Sequence, residues 1–183
     1  MEIIKTEFPG LLIINPQIFE DSRGYFFESY NKNKIEVLNE IDFVQDNQSK
    51  SVQGTIRGLH YQLEPYAQSK LIRVLDGKIL DIVVDIRAKS PTYGKHFSIE
   101  LSCSNKQQLF IPKGFAHGFS VLSETAVVLY KTDQYYNHDS ERGINFNDPD
   151  LKIDWKISTD EAVVSIKDKV LPTLKEAEKN FKF

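Results

Sequence analysis

The chain holds one cysteine, Cys103, among its 183 residues, which excludes an internal disulfide framework. Long hydrophobic runs are missing too. The densest, Leu11-Leu12-Ile13-Ile14, stops at Asn15-Pro16, far short of the roughly 20 residues a membrane helix needs. The amino terminus, Met1-Glu2-Ile3-Ile4-Lys5-Thr6-Glu7, lacks the apolar core of a secretory signal, so a cytoplasmic location without membrane attachment is expected. Neither sign of charge dominates. The formal net charge is −3 and the pI about 5.8, with acids and bases interspersed, which argues against the basic stripe that nucleic acid requires. A small anionic ligand needs only a local group of cations, for which Arg23, Arg57, Lys70 and Arg73 are candidates. Repeats, low-complexity stretches and Pro/Gly/Ser linkers are also absent, and 40% hydrophobic content over this length predicts one domain spanning 1–183.

What is present is period-two alternation, concentrated between residues 50 and 135, which predicts half-buried strands. In Ile79–Arg87, Leu80, Ile82, Val84 and Ile86 share one face and Asp81, Val83 and Asp85 the other, after an Asp76-Gly77 turn. If the acidic face lines a barrel mouth, Asp81 is a candidate partner for a catalytic base. Further strands are predicted near Phe97–Leu101, Gln108–Ile111, Phe119–Val121 and Ala126–Lys131, with turns at 90–94, Ser104-Asn105 and Pro112-Lys113-Gly114. Helix signals sit at the ends, in Lys32–Asn39 and Pro172–Asn180, with Thr159 and Asp160 able to cap a brief turn. Short strands with regular turns point to an all-β double-stranded β-helix, a cupin-like jelly roll with short terminal helices.

His60, in Gly58-Leu59-His60-Tyr61-Gln62, and Lys70 lie on neighbouring strand-like stretches. A neutral imidazole can take a proton from carbon beside a carbonyl while an ammonium stabilises the oxygen anion that forms. Taken alone, such a pair is more often an ordinary half-buried strand histidine and a solvated charge. Period-two counting places His60 on the face of Ile56 and Gln62.

The ordered motifs carry more. Phe19–Glu28, Phe43–Ser49, Arg57–Gln62, Gln68–Val74, Val84–Arg87, Ser90–Thr92, Ile111–Phe119, Leu129–Lys131 and Ser165–Asp168 resemble, in order, the motifs of the dTDP-4-dehydrorhamnose 3,5-epimerase family, from near residue 3 to near residue 174. That resemblance implies epimerisation at C3 and C5 of dTDP-4-dehydro-6-deoxy-D-glucose, toward L-rhamnose, with no cofactor and no metal. It implies His60 as base, Asp168 as the carboxylate orienting it, Lys70 facing the enolate oxygen and Tyr130 as the acid on the opposite ring face. For the nucleotide it implies contacts from Arg23, Arg57 and Lys167, from Glu28, Gln45, Asp46, Asn47 and Glu141, and a stacking Tyr136. It also implies a homodimer that exchanges its amino-terminal strand, so that Arg23 and Glu28 serve the neighbour's site.

His117 is expected to line the sugar pocket, alternating with Phe115 and Phe119. A metal-binding cupin would bring paired histidines and a carboxylate at close spacing, and neither His96 nor His117 supplies that beside His60. Lys169-Val170-Leu171-Pro172 and the loop Leu63–Ala67 depart from the common family pattern, leaving a single-position epimerase or ketone isomerase as the alternative. A non-catalytic sugar-nucleotide-binding cupin is the alternative of another class, and would gain nothing from a base opposite an acid.

Overall fold

A computed structural model describes residues 1–35 and 38–183. The alternating segments form strands β1 (Glu2–Lys5), β2 (Leu12–Asn15), β3 (Phe19–Asp21), β4 (Gly24–Phe26), β5 (Gln45–Val52), β6 (Thr55–Gln62), β7 (Lys70–Asp76), β8 (Lys78–Asp85), β9 (His96–Ser102), β10 (Gln108–Ile111), β11 (Phe115–Val121), β12 (Thr125–Thr132), β13 (Glu141–Gly143) and β14 (Val163–Val164). One sheet runs β1-β2-β10-β7-β12-β5 and the other β13-β6-β11-β8-β9, with β14 parallel to β6, while β3 and β4 form a separate hairpin. The two sheets form a cupin-like jelly roll.

Two apolar clusters show how the layers stack. Between the sheets lie Ile72, Val74, Leu109, Ile111 and Val128 from the first, and Ile79, Val83, Leu101, Phe115, Phe119 and Val121 from the second. The outer face of the second sheet, including Leu80, Ile82, Val84 and Ile86, is covered by Ile144, Leu151, Trp155 and Phe181. Strand β8 is therefore buried on both faces, and Asp81 and Asp85 face the interior with no exposed surface. Such buried side chains contribute roughly 1.5–3 kcal/mol each to stability when large and apolar. The two carboxylates need partners. Asp85 accepts from Arg87, Ser90 and Thr92, and Asp81 meets His117, which lines the cavity described below.

The terminal helices differ from expectation. Lys32–Lys34 is one turn of 3-10 helix capped by Asn31, and residues 36 and 37 of the expected Lys32–Asn39 helix lie outside the described residues. Pro172–Asn180 is not a helix. It makes a single turn from Thr173 to Ala177, and Lys179 bonds the carbonyls of Leu174 and Ala177. Leu174, Ala177 and Phe181 are drawn onto the outer cluster instead; docking of apolar side chains outweighs a short, marginal helix. Among the described residues, the α-helix that does form is α1 (Ile166–Lys169), capped by Ser165.

A register shift between β6 and β11 places the site. Ile56 opposes Ser120, Arg57 opposes Phe119 and His60 opposes His117, so Gly58 and Leu59 together face Gly118. This extra residue turns Arg57 and His60, three apart, onto the same interior face, as a β-bulge does. Ile56, Leu59 and Tyr61 all point to the outer cluster. His60 therefore shares its face with Gln62 and not with Ile56, correcting the simple period-two reading. Glycine is required here: Gly58 has φ +116, and a Cβ on it would lie 2.6 Å from the Gly118 Cα.

Candidate active site

Toward one end of the jelly roll the interior lining changes from apolar to polar. A cavity of about 760 Å³ is lined there by Arg57 and His60 from β6, Lys70 from β7, His117 from β11, Tyr130 from β12, and Lys167 and Asp168 from α1. An adjoining cavity of about 270 Å³ shares His60, Lys70 and Tyr130 and adds Gln45, Asn47, Tyr136 and Glu141.

His60 Nε2 lies 2.7 Å from Asp168 Oδ1, although 108 residues separate them in the chain. Beside a carboxylate, Nε2 carries the hydrogen, which leaves Nδ1 as the free acceptor. Asp168 occupies the third helical position after the Ser165 cap, where an acid commonly reaches back to the cap's own N–H. Here it turns to His60 instead and also receives the Gly58 N–H at 3.4 Å. Burial pushes its carboxyl up, but the His60 ring, the Gly58 N–H and Ser165 together outweigh that and hold it below the usual range.

Lys70 is half-buried. Burial pulls its ammonium down to about 8, against the pull of Asp81 and then Glu141 upward. Tyr130 stays a protonated phenol at neutral pH, since burial raises it, Arg57 works against this and Glu141 with it. His117 Nε2 donates to Asp81 Oδ2 at 2.9 Å. Burial lowers the His117 pKa, Asp81 opposes this, and Lys70 and His60 add to it. The site therefore holds two histidine–carboxylate pairs on cross-strand neighbours, and Asp81 partners His117, not His60.

At the rim, Glu141 accepts from the Tyr136 hydroxyl at 2.7 Å and pairs with Lys167. Burial raises the Glu141 carboxyl, but these two partners dominate and keep it low. Tyr136 is 54% exposed, so its ring face is open to a flat ligand. Arg57 is held by the Ser51 hydroxyl at 2.9 Å. Strand β5 alternates strictly, so Gln45 and Asn47 face the site while Asp46 points outward to Lys131 at 2.9 Å. Asp46 thus lies off the cavity in this chain. So do Arg23, on the β3–β4 hairpin paired with Asp21 at 2.6 Å, and Glu28, held by Lys34 and Asn31.

Sequence reasoning passed over Ser49, Ser51, Thr55 and Ser165, all of which line the cavity. Ser165-Ile166-Lys167-Asp168 carried a usable signal, since Ser-x-x-Asp is a helix-start pattern. Among the described residues, no group of three or more His, Cys, Asp or Glu side chains has metal-binding geometry. No helix among them is long and apolar enough to cross a membrane.

The sequence profile of the dTDP-4-dehydrorhamnose 3,5-epimerase family matches residues 5–176. A relative of that name from Shigella flexneri is 52% identical over 159 residues, covering 86% of this chain and 88% of its own. The crystal structure of dTDP-4-dehydrorhamnose 3,5-epimerase from Elizabethkingia anophelis superposes with a TM-score of 0.91 at 50% identity, covering 96% of this chain and 97% of that one. The Legionella pneumophila dTDP-6-deoxy-D-glucose-3,5-epimerase, solved with dTDP-4-keto-L-rhamnose, superposes at 0.90 with 45% identity, over 96% and 93% of the two chains.

Proposed function

The chain belongs to the dTDP-4-dehydrorhamnose 3,5-epimerase family, and on that premise we propose that His60, Asp168, Lys70 and Tyr130 carry out its reaction in the 760 Å³ cavity. The reaction is epimerisation at C3 and C5 of dTDP-4-dehydro-6-deoxy-D-glucose, giving dTDP-4-dehydro-L-rhamnose. The observation that supports the residue roles best is the His60–Asp168 contact of 2.7 Å in a cavity that Lys70 and Tyr130 also line.

The C4 ketone acidifies the C–H bonds at both C3 and C5. A base on one face, a cation at the ketone oxygen and an acid on the other face then complete each inversion. His60 Nδ1 takes the proton while Asp168 steadies the imidazolium that forms. The Lys70 ammonium stabilises the enolate oxygen. The neutral Tyr130 phenol returns a proton from the opposite side. No residue role here calls on a redox group or a metal. Tyr136 offers the stacking face for the thymine, while Arg57 and Lys167 supply cations for the diphosphate.

Tyr130→Phe separates the two half-reactions. In D2O this variant is expected to lose at least one inversion while still exchanging a hydrogen next to the ketone. NMR of the recovered sugar reads both, and unchanged products at an unchanged rate reject Tyr130 as the acid.

Arg23 and Glu28 enter the proposal through a second subunit. The β3–β4 hairpin presents Phe19, Tyr25 and Phe26 at 55%, 58% and 66% exposure, an apolar surface suited to burial against another chain. Exchange of this amino-terminal segment in a homodimer carries Arg23 and Glu28 to the partner's site. Light scattering is expected to give a mass near twice 21.1 kDa; a monomer with full activity contradicts the exchange.

A further inference from the structure

Asp81 lies behind the cavity lining, bonded to His117, and has no part in the scheme above. It has no exposed surface. One oxygen meets His117 at 2.9 Å, and the other has no hydrogen-bond partner among the described residues. A buried carboxylate oxygen left unpaired is costly, and native proteins rarely carry one without a compensating charge. The cation that its charge favours is Lys70. Asp81 rises from the interior face of β8, and Lys70 descends from the facing sheet with Ile72 and Val74 on the interior side of β7. His117, bonded to Asp81, lines the same cavity as Lys70.

We propose that Asp81 is a positioning residue for the epimerisation: its unpaired oxygen and its bond to His117 hold the Lys70 ammonium charged and directed at the ketone oxygen. This inference rests on the reading of Lys70 as the enolate-stabilising cation. Besides Asp81, the titratable and charged groups that share the cavities of Lys70 are Glu141 from β13, His117 from β11, His60, Arg57 and Tyr61 from β6, Tyr130 from β12, Lys50 from β5, Lys167 and Asp168 from α1, and Tyr136. Asp81 and Glu141 are the two acids acting on Lys70, Asp81 the more strongly. Glu141 is already engaged by Tyr136 and Lys167, which leaves Asp81 as the acid with an oxygen to spare.

The test is the pH profile of kcat/KM for the wild-type protein, Asp81→Asn and Lys70→Met with dTDP-4-dehydro-6-deoxy-D-glucose, alongside calorimetric affinity for dTDP. Asparagine keeps the shape and the hydrogen bond to His117 while removing the charge. Asp81→Asn is expected to move the alkaline limb of the profile down by about one pH unit or more, to cut kcat/KM at pH 8 by about fivefold or more, and to leave dTDP affinity unchanged. A limb at the wild-type position overturns the proposal even if the rate falls, because disturbed packing alone does not move a titration. If Lys70→Met turns over like wild type, the reading of Lys70 itself fails, whatever Asp81 does. Should Asp81→Asn not fold, Asp81→Glu substitutes. It keeps the charge, so its limb is expected at the wild-type pH, and a displacement of a unit or more overturns the proposal.

Discussion

His60→Ala is expected to lower kcat/KM by about 10³-fold or more, the range assigned to a positioned general base, while dTDP affinity stays within about threefold. The separation of the two effects follows from where the residues sit. His60 lies at the floor on β6, held by Asp168, whereas the proposed nucleotide contacts Tyr136, Glu141 and Lys167 form their own hydrogen-bonded group at the rim. Removing the imidazole breaks no contact within that group. Solvent exchange at C3 and C5 should vanish together with turnover, because no other group in the scheme removes the proton. Steady-state kinetics and calorimetry check this pair of outcomes. Full activity in His60→Ala removes His60 as the base, and a parallel loss of dTDP affinity makes it a binding residue instead.

Lys70→Met is expected to change activity and stability in opposite directions. Without a cation at the enolate oxygen, kcat should fall by about 10²–10³-fold, as when an oxyanion donor is removed. In the wild-type protein the same requirement appears as a loss of activity above about pH 8, since burial pulls Lys70 down to about 8 and only its protonated form stabilises the anion. Stability runs the other way. A lysine whose folded pKa lies below its unfolded value destabilises the fold by its charged form, fully so below about pH 8. The unfolded chain binds more protons between about 8 and its ordinary value of 10.5, so wild-type stability rises with pH across that window. Methionine removes the cost. The variant should therefore be more stable at pH 7 by about 1–3 kcal/mol, with the advantage shrinking as pH rises from 8 toward 10.5. Urea titrations at pH 7 and pH 10 measure it. A variant less stable than wild type at both pH values contradicts the view of Lys70 as a group kept for chemistry at a cost to the fold.

Much of this architecture was written in the sequence, and what was not has specific physical causes. Strands with one face on a core announced themselves. Gln108–Ile111 has the predicted bounds, and the stretches around Phe97 and Ala126 differ only by a residue at each end. Strand β5 carried no such signal, because Gln45–Val52 buries neither face in an apolar cluster: one face lines the cavity and the other meets solvent and Lys131. The bulge at Gly58-Leu59 defeated face counting, since alternation cannot reveal an inserted residue. Pro172–Asn180 has helix-forming residues, but its apolar side chains had a better offer from the Trp155 cluster. At the site, resemblance supplied the candidates while geometry sorted them. It joined His60 to Asp168, turned Asp46 outward and left Arg23 and Glu28 beyond the cavity. The Asp81–His117 pair shows the limit most clearly, since the sequence offered Asp81 as an acid facing inward without saying which histidine it would meet.

The most direct test of the central claim is to incubate the pure protein with dTDP-4-dehydro-6-deoxy-D-glucose in D2O and locate the incorporated deuterium by NMR and mass spectrometry. Proton abstraction beside the C4 ketone at both positions predicts one deuteron at C3 and one at C5, each with inverted configuration. Deuterium at a single carbon, or unlabelled sugar recovered from a protein that binds it, contradicts the double inversion.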